Sequence, residues 1–107
     1  MRIIENKAEY EQLLNDSKSV FVDFYADWCG PCKMVSPLVE KLAEKHTDVT
    51  FVKVNVDNTP DIAAMYGIMS IPTLIGFKDG EVAGSIIGFQ PEGVLEQLVA
   101  RTSKTPD

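Results

Sequence analysis

Cysteine is scarce in this chain of 107 residues: there are two, Cys29 and Cys32, three positions apart. Two neighbouring cysteines cannot form the spread framework of bridges that staples a small secreted scaffold. A single domain of roughly 100–150 residues can bury a sufficient core without one. Positive charge is also short, ten Lys and Arg against sixteen Asp and Glu, giving a net charge of −6 and a pI near 4.7. An acidic surface repels phosphate, which argues against nucleic acid as a partner, and no basic run offers a grip on an anionic membrane. No apolar run approaches the roughly 20 residues of a spanning helix. The N-terminal residues Met1-Arg2-Ile3-Ile4-Glu5-Asn6-Lys7 hold no apolar h-region of a secretory signal. The expected compartment is therefore the cytoplasm, although a mature protein already cleaved from its signal would look the same. Repeats, low-complexity tracts and linkers are missing too.

With 45% apolar and 24% charged residues, the composition is that of a globular protein. One domain over residues 1–107 is expected, with only the polar tail 102–107 loose. Ile3-Ile4 suggests a short first strand, and Tyr10, Leu13 and Leu14 give residues 8–14 an amphipathic helical spacing. Residues 20–25 are apolar on both faces except for Asp23, as in a central strand covered on both sides. Val35, Leu38, Val39 and Leu42 then recur at helical spacing opposite Glu40, Lys41, Glu44 and Lys45, with Pro37 inside expected to kink the helix. Residues 49–56 are rich in β-branched side chains, with Val52, Val54 and Val56 on one face. A short helix over 60–66 begins at Thr59 as N-cap and Pro60. Strands 73–77 and 81–87 flank the hairpin signal Asp79-Gly80, and a last helix over 91–99 puts Val94, Leu95, Leu98 and Val99 on one face. This order calls for parallel strands joined by helical crossovers, followed by an antiparallel hairpin. The fold class is α/β, a central mixed sheet with helices on both faces.

Trp28-Cys29-Gly30-Pro31-Cys32 lies between the central strand and a helix, at the strand ends where open α/β sheets gather function. A cysteine at a helix N-terminus meets the positive end of the dipole and unpaired N–H groups, which favour its thiolate. Cys29 should lie at that start, exposed by the turn, with Cys32 one turn in and shielded. Cys29 would attack a substrate disulfide, and Cys32 would then attack Cys29, releasing reduced substrate and leaving an intramolecular disulfide. Pro31 near the helix start costs little hydrogen bonding. Zinc would want four ligands, and beyond the two cysteines the only histidine is His46, at the far end of the same helix, where a helix C-terminal cation is the simpler reading. Haem attachment needs His after the second cysteine, where Lys33 stands. A structural bridge closing so short a loop would add little stability. Redox chemistry is the favoured reading.

The segment Val22-Asp23-Phe24-Tyr25-Ala26-Asp27-Trp28-Cys29-Gly30-Pro31-Cys32-Lys33 resembles the active-site signature of the thioredoxin family. The likeness continues through Lys53-Val54-Asn55-Val56-Asp57, Tyr66-Gly67-Ile68, Ile71-Pro72-Thr73, Phe77-Lys78-Asp79-Gly80 and Gly88, in order along almost the whole chain. The resemblance implies the thioredoxin fold, with Ile71-Pro72 joined by a cis peptide facing the cysteines. It implies disulfide-containing client proteins and no bound cofactor, with electrons arriving from NADPH through a flavin-containing thioredoxin reductase. Departures are Tyr25, where the family often has Trp, and Ser70, where glycine is common before the cis proline; both bear on substrate preference. Gly30-Pro31 favours reduction, since members with His at either place tend towards oxidation or isomerisation.

Asp23 sits inside an apolar strand, where ionising a carboxyl is costly. It lies either at a wet edge or, as the resemblance supports, beside Cys32 as its proton acceptor, a role that a raised pKa suits. Lys53 interrupts a valine-rich strand and is a candidate partner of Asp23, or an ordinary exposed lysine. Trp28, Ile71, Pro72 and Gly88 are expected to frame a shallow apolar surface around Cys29, with backbone hydrogen bonds to extended substrate beside Ile71; core packing is the plain alternative for Trp28 and Ile71. Met34, Met65 and Met69 read as packing or loop residues, and no metal site is expected. The competing functions are a non-catalytic binding module on this fold and a dithiol oxidase or isomerase. A monomer is the expected state.

Overall fold

The structure, a computed structural model, describes residues 1–103. In chain order the elements are β1 (Arg2–Ile3), α1 (Lys7–Asp16), β2 (Ser19–Tyr25), α2 (Gly30–Lys45), β3 (Thr50–Asn55), α3 (Pro60–Met65), β4 (Thr73–Lys78), β5 (Glu81–Ile87) and α4 (Glu92–Thr102). One sheet runs β1-β3-β2-β4-β5, parallel from β1 through β3 to β2 and antiparallel from β2 through β4 to β5. The strand with the least polar sequence thus becomes the central one. Each fully buried Val or Phe side chain is worth about 1.5–3 kcal/mol, so β2 gains most where helices cover both its faces.

Strand alternation divides the core in two. Val20, Val22 and Phe24 of β2 join Val52 and Val54 of β3 against Tyr10, Leu13 and Ile62, beneath α1 and α3. Phe21 of β2 and Phe51 of β3 face the other way, against Val35, Val39 and Leu42 of α2 and Leu95, Leu98 and Val99 of α4. Asp23 and Tyr25 share parity with Phe21, so they too point to the α2 side. Register places Lys53 beside Asp23 and Asn55 beside Tyr25 on β3, with Leu74 opposite Asp23 on β4. A wet edge for Asp23 is excluded: β2 is central and the residue is 1% exposed.

Several local details differ from the sequence reading. The first strand is Arg2–Ile3, and it is Ile4, just beyond it, that is buried. Thr59 does not cap α3 with its side chain; its hydroxyl instead donates to the Asn55 carbonyl oxygen at 2.9 Å, pinning the loop after β3. Val94 is exposed, and Thr102 takes its place on the buried face of α4. The tail is correspondingly not loose at its start. Thr102 is fully buried and Ser103 Oγ donates to the Asp48 carboxylate, while residues 104–107 lie outside the described residues. Met34 and Met65 are exposed on helices rather than packed, while Met69 is an exposed loop residue, as expected. The helix of residues 30–45 continues through an exposed Pro37. His46 caps its C-terminal end, as expected, and pairs with Glu96 of α4. Asp79 and Gly80 have φ of 54° and 81°, the left-handed pair that a two-residue hairpin turn requires. Among the described residues no helix is long and apolar enough to cross a membrane.

Candidate active site

The two parallel strands β2 and β3 end on the same side of the sheet, and the loops that follow them meet there. Cys29 is the N-cap of α2, with extended backbone, and its Sγ accepts the Cys32 N–H at 3.1 Å. Gly30 and Pro31 form the first helical positions, where the missing proline N–H is no loss. Cys32 lies one turn in, and the two cysteines are joined in a disulfide with Cα atoms 5.3 Å apart.

The expected contrast in exposure is not found: in this disulfide form Cys29 is 2% exposed and Cys32 4%. The bridge packs against Ala26, Tyr25, Val56 and Ile71, which covers both sulfurs, and Cys29 Sγ lies 3.7 Å from the Ile71 carbonyl oxygen. What distinguishes the cysteines is position along the helix. Only Cys29 stands at the end where N–H groups and dipole converge.

The Ile71-Pro72 peptide is cis, and its loop borders the disulfide through Ile71. Pro72 is buried, and its carbonyl oxygen accepts the Gly88 N–H at 2.8 Å. Gly88 has φ of +85°, a conformation that side chains rarely adopt, so a residue without Cβ ties the end of β5 to this loop. Trp28 is not core but 71% exposed, and its indole N–H donates to Asp57 Oδ2 at 2.9 Å. The Asp57 backbone is held in turn by its N–H, which donates to Asn55 Oδ1 at 2.9 Å. Ile71 is half-buried. Asp57 was not among the residues singled out by sequence. Its bond to Trp28 spans 29 positions, and its one local signal is an acidic residue just past a strand end.

Beneath the disulfide, a cavity of about 360 Å³ is lined by Asp23, Tyr25, Ala26, Asp27, Cys32, Lys33, Ser36 and Lys53. Asp23 and Cys32 both line this cavity. Burial drives the Asp23 carboxyl up from its ordinary 3.8 to about 6; the Lys53 ammonium opposes the rise and Glu40 of α2 adds to it. No protein group donates a hydrogen bond to Oδ1 of Asp23, so the protein itself does not compensate burial at that oxygen. Lys53 stands beside Asp23 but forms no ion pair with it; its ammonium lies 4.4 Å from the centroid of the Tyr25 ring. Glu40, nearly three turns along α2, was read from the sequence only as part of the polar face of that helix, not as a neighbour of Asp23. Among the described residues no group of three or more His, Cys, Asp or Glu is placed to hold a metal ion.

The thioredoxin family model matches residues 2–101. The chain is 52% identical over 99 residues to a thioredoxin of Mycoplasmoides gallisepticum, covering 92% of this chain and 99% of that one. It is 48% identical over 81 residues to a thioredoxin of Bacillus subtilis, covering 75% and 78%. Among solved structures, Plasmodium falciparum thioredoxin superposes with a TM-score of 0.91 at 31% identity, over 96% of this chain and all of the other. A mixed sheet with helices on both faces, as expected, is thus the thioredoxin fold. With its cysteine pair at the helix N-terminus intact, the chain belongs to the thioredoxin family and is a thiol–disulfide oxidoreductase that reduces protein disulfides.

Proposed function

We propose that reduction proceeds by two exchanges at Cys29, with Asp23 as the proton acceptor. The Cys29 thiolate attacks one sulfur of a client disulfide; the new S–S bond forms a mixed disulfide, and the client's other sulfur leaves as a thiolate that takes a proton. Cys32, losing its proton to Asp23 directly or through water in the shared cavity, then attacks Cys29 Sγ. The mixed disulfide breaks, the second client sulfur leaves, and Cys29 and Cys32 are left oxidised to the disulfide. The observation that carries this assignment is the common cavity lined by Cys32 and by a buried carboxyl whose affinity for protons is raised to about 6. A base of that strength accepts a thiol proton near neutral pH far better than an ordinary exposed carboxylate.

Clients are proteins with accessible disulfides. Trp28 and the half-buried Ile71 and Gly88 offer them a rim, Pro72 shaping it from beneath, and the Ile71 backbone beside Cys29 can pair with an extended segment. The protein binds no cofactor of its own. NADPH returns its electrons through a flavin-containing thioredoxin reductase, and the chain works as a cytoplasmic monomer. Its net charge of −6 suits neither nucleic acid nor an anionic membrane as a partner. Insulin reduction, first with dithiothreitol and then with NADPH and a thioredoxin reductase, tests the cycle. Turnover with both reductants is expected. Turnover with dithiothreitol alone refutes the reductase route, and failure of Asp23→Asn to slow client release refutes the base.

A further inference from the structure

Three side chains of opposite or complementary chemistry meet in the cavity beneath the disulfide. Asp23 and Tyr25 are two positions apart on one face of β2, and Lys53 is the neighbour of Asp23 on β3. An ammonium and a carboxylate placed side by side at low exposure ordinarily close into an ion pair. Here they do not. The Lys53 ammonium lies instead over the Tyr25 ring, 4.4 Å from its centroid and well inside cation–π range, while no protein group donates a hydrogen bond to Oδ1 of Asp23. Tyr25 is placed for this by its backbone, whose carbonyl accepts the Val56 N–H at 2.9 Å, and by packing against the disulfide cluster.

We propose that Tyr25 is a positioning residue for the resolving step: its ring face holds the Lys53 ammonium off the Asp23 carboxylate and so keeps that carboxylate a competent base toward Cys32. The inference rests on the reading of Asp23 as proton acceptor. An ammonium allowed onto the carboxylate would stabilise its ionised form and weaken it as a base. The ring competes for the same ammonium, and the most it can withhold from the carboxylate is its own hold on that charge. For an exposed cation–π contact this corresponds to about half a pH unit, roughly threefold in proton affinity. Of the other charged groups around Asp23, only Glu40 acts appreciably on its carboxyl, and it raises the proton affinity. From α2 come Cys32, Lys33 and Glu40, from beyond β2 comes Asp27, and β4 presents the uncharged Leu74.

The test is an NMR titration of the Asp23 carboxyl carbon in the oxidised protein and its variants. Tyr25→Leu should lower the midpoint by about half a pH unit, whereas Tyr25→Phe and Tyr25→Trp, which keep a ring face, should leave it in place. Tyr25→Met, which fills the space without a ring, should show the same drop and stands in for the leucine variant should that one not fold. In a Lys53→Met background, Tyr25→Leu should have no effect on the midpoint, because there is no ammonium to release. An unchanged or higher midpoint in the ring-less variants overturns the proposal. So does an equal drop in the Lys53→Met background, which would trace the effect to hydration of the carboxyl. Client release by Asp23→Asn separates the two levels. If that variant releases clients as fast as the parent, the base reading fails whatever Tyr25 does; if it is slow and the ring-less midpoints are unmoved, the role of Tyr25 alone fails.

Discussion

Replacing Asp23 by alanine should stabilise the protein above neutral pH and slow it as a reductase, and both effects have one cause. In the folded chain the carboxyl is 1% exposed and holds its proton up to about pH 6; in the unfolded chain it releases it near 3.8. Below the lower value both states are protonated and the carboxyl carries no ionisation penalty. Between the two values the folded state binds more protons than the unfolded one, so stability falls as pH rises, and the loss is complete above the folded value. At about 1.4 kcal/mol per pH unit the displacement amounts to roughly 3 kcal/mol. That is a large share of the roughly 5–15 kcal/mol that holds a domain folded. Alanine removes the penalty, although it also removes packing at every pH, so the informative quantity is the difference between conditions. The gain in unfolding free energy of Asp23→Ala over the parent should be larger at pH 8 than at pH 4 by about 2–3 kcal/mol. In urea this is a relative rise in midpoint of roughly 1–3 M. The same variant should release clients more slowly at pH 8, because the proton acceptor proposed for Cys32 is gone. A gain that is the same at both pH values would refute the burial argument, whatever the kinetics show.

Other perturbations probe the parts that place the site. A Cβ on Gly76 would stand 1.9 Å from Thr102 Oγ1 and 3.3 Å from Leu98 Cδ1, so Gly76→Ala should cost about 1–3 kcal/mol in urea unfolding by pushing α4 off the sheet. Gly93→Ala, which meets nothing within 4 Å, should be neutral or gain up to about 1 kcal/mol, and an equal loss in both variants would contradict the packing reading. Asp57→Ala removes the acceptor of the Trp28 indole, an exposed contact, so stability should change by less than about 1 kcal/mol. The fluorescence of this single tryptophan should change, and KM for a protein client should rise with kcat little altered. An unchanged KM would mean that the indole's placement does not serve client binding.

Most of the frame was legible because its signals are local. An apolar run broken by one aspartate, a Cys-Gly-Pro-Cys turn opening a helix, and Asp79-Gly80 between two strands each specify their own segment through burial, capping or backbone conformation. That Asp23 is buried on the central strand and lines one cavity with Cys32 was also legible, since a carboxyl on a buried strand needs a reason to be there. Illegible features depend on register and on distant loops. Lys53 was legible as a candidate neighbour of Asp23, but nothing in the sequence says that its ammonium will rest on the Tyr25 ring, because that follows from the alignment of β2 with β3. The Trp28–Asp57 bond likewise joins two loops that meet only once the parallel strands are aligned. The burial of Cys29 went unforeseen because a turn looks open until the cis-proline loop folds over it. Thr102 looked like tail for a similar reason. Its burial depends on Gly76, 26 positions earlier, leaving room for it.

The central claim is the division of labour between the two cysteines, and trapping tests it most directly. The Cys32→Ser protein, reduced and mixed with a disulfide-containing client, should form a stable mixed disulfide that mass spectrometry of the digested adduct locates at Cys29. Cys29→Ser under the same conditions should neither trap nor reduce the client. Absence of an adduct at Cys29, or continued multiple turnover by Cys32→Ser, would contradict the account.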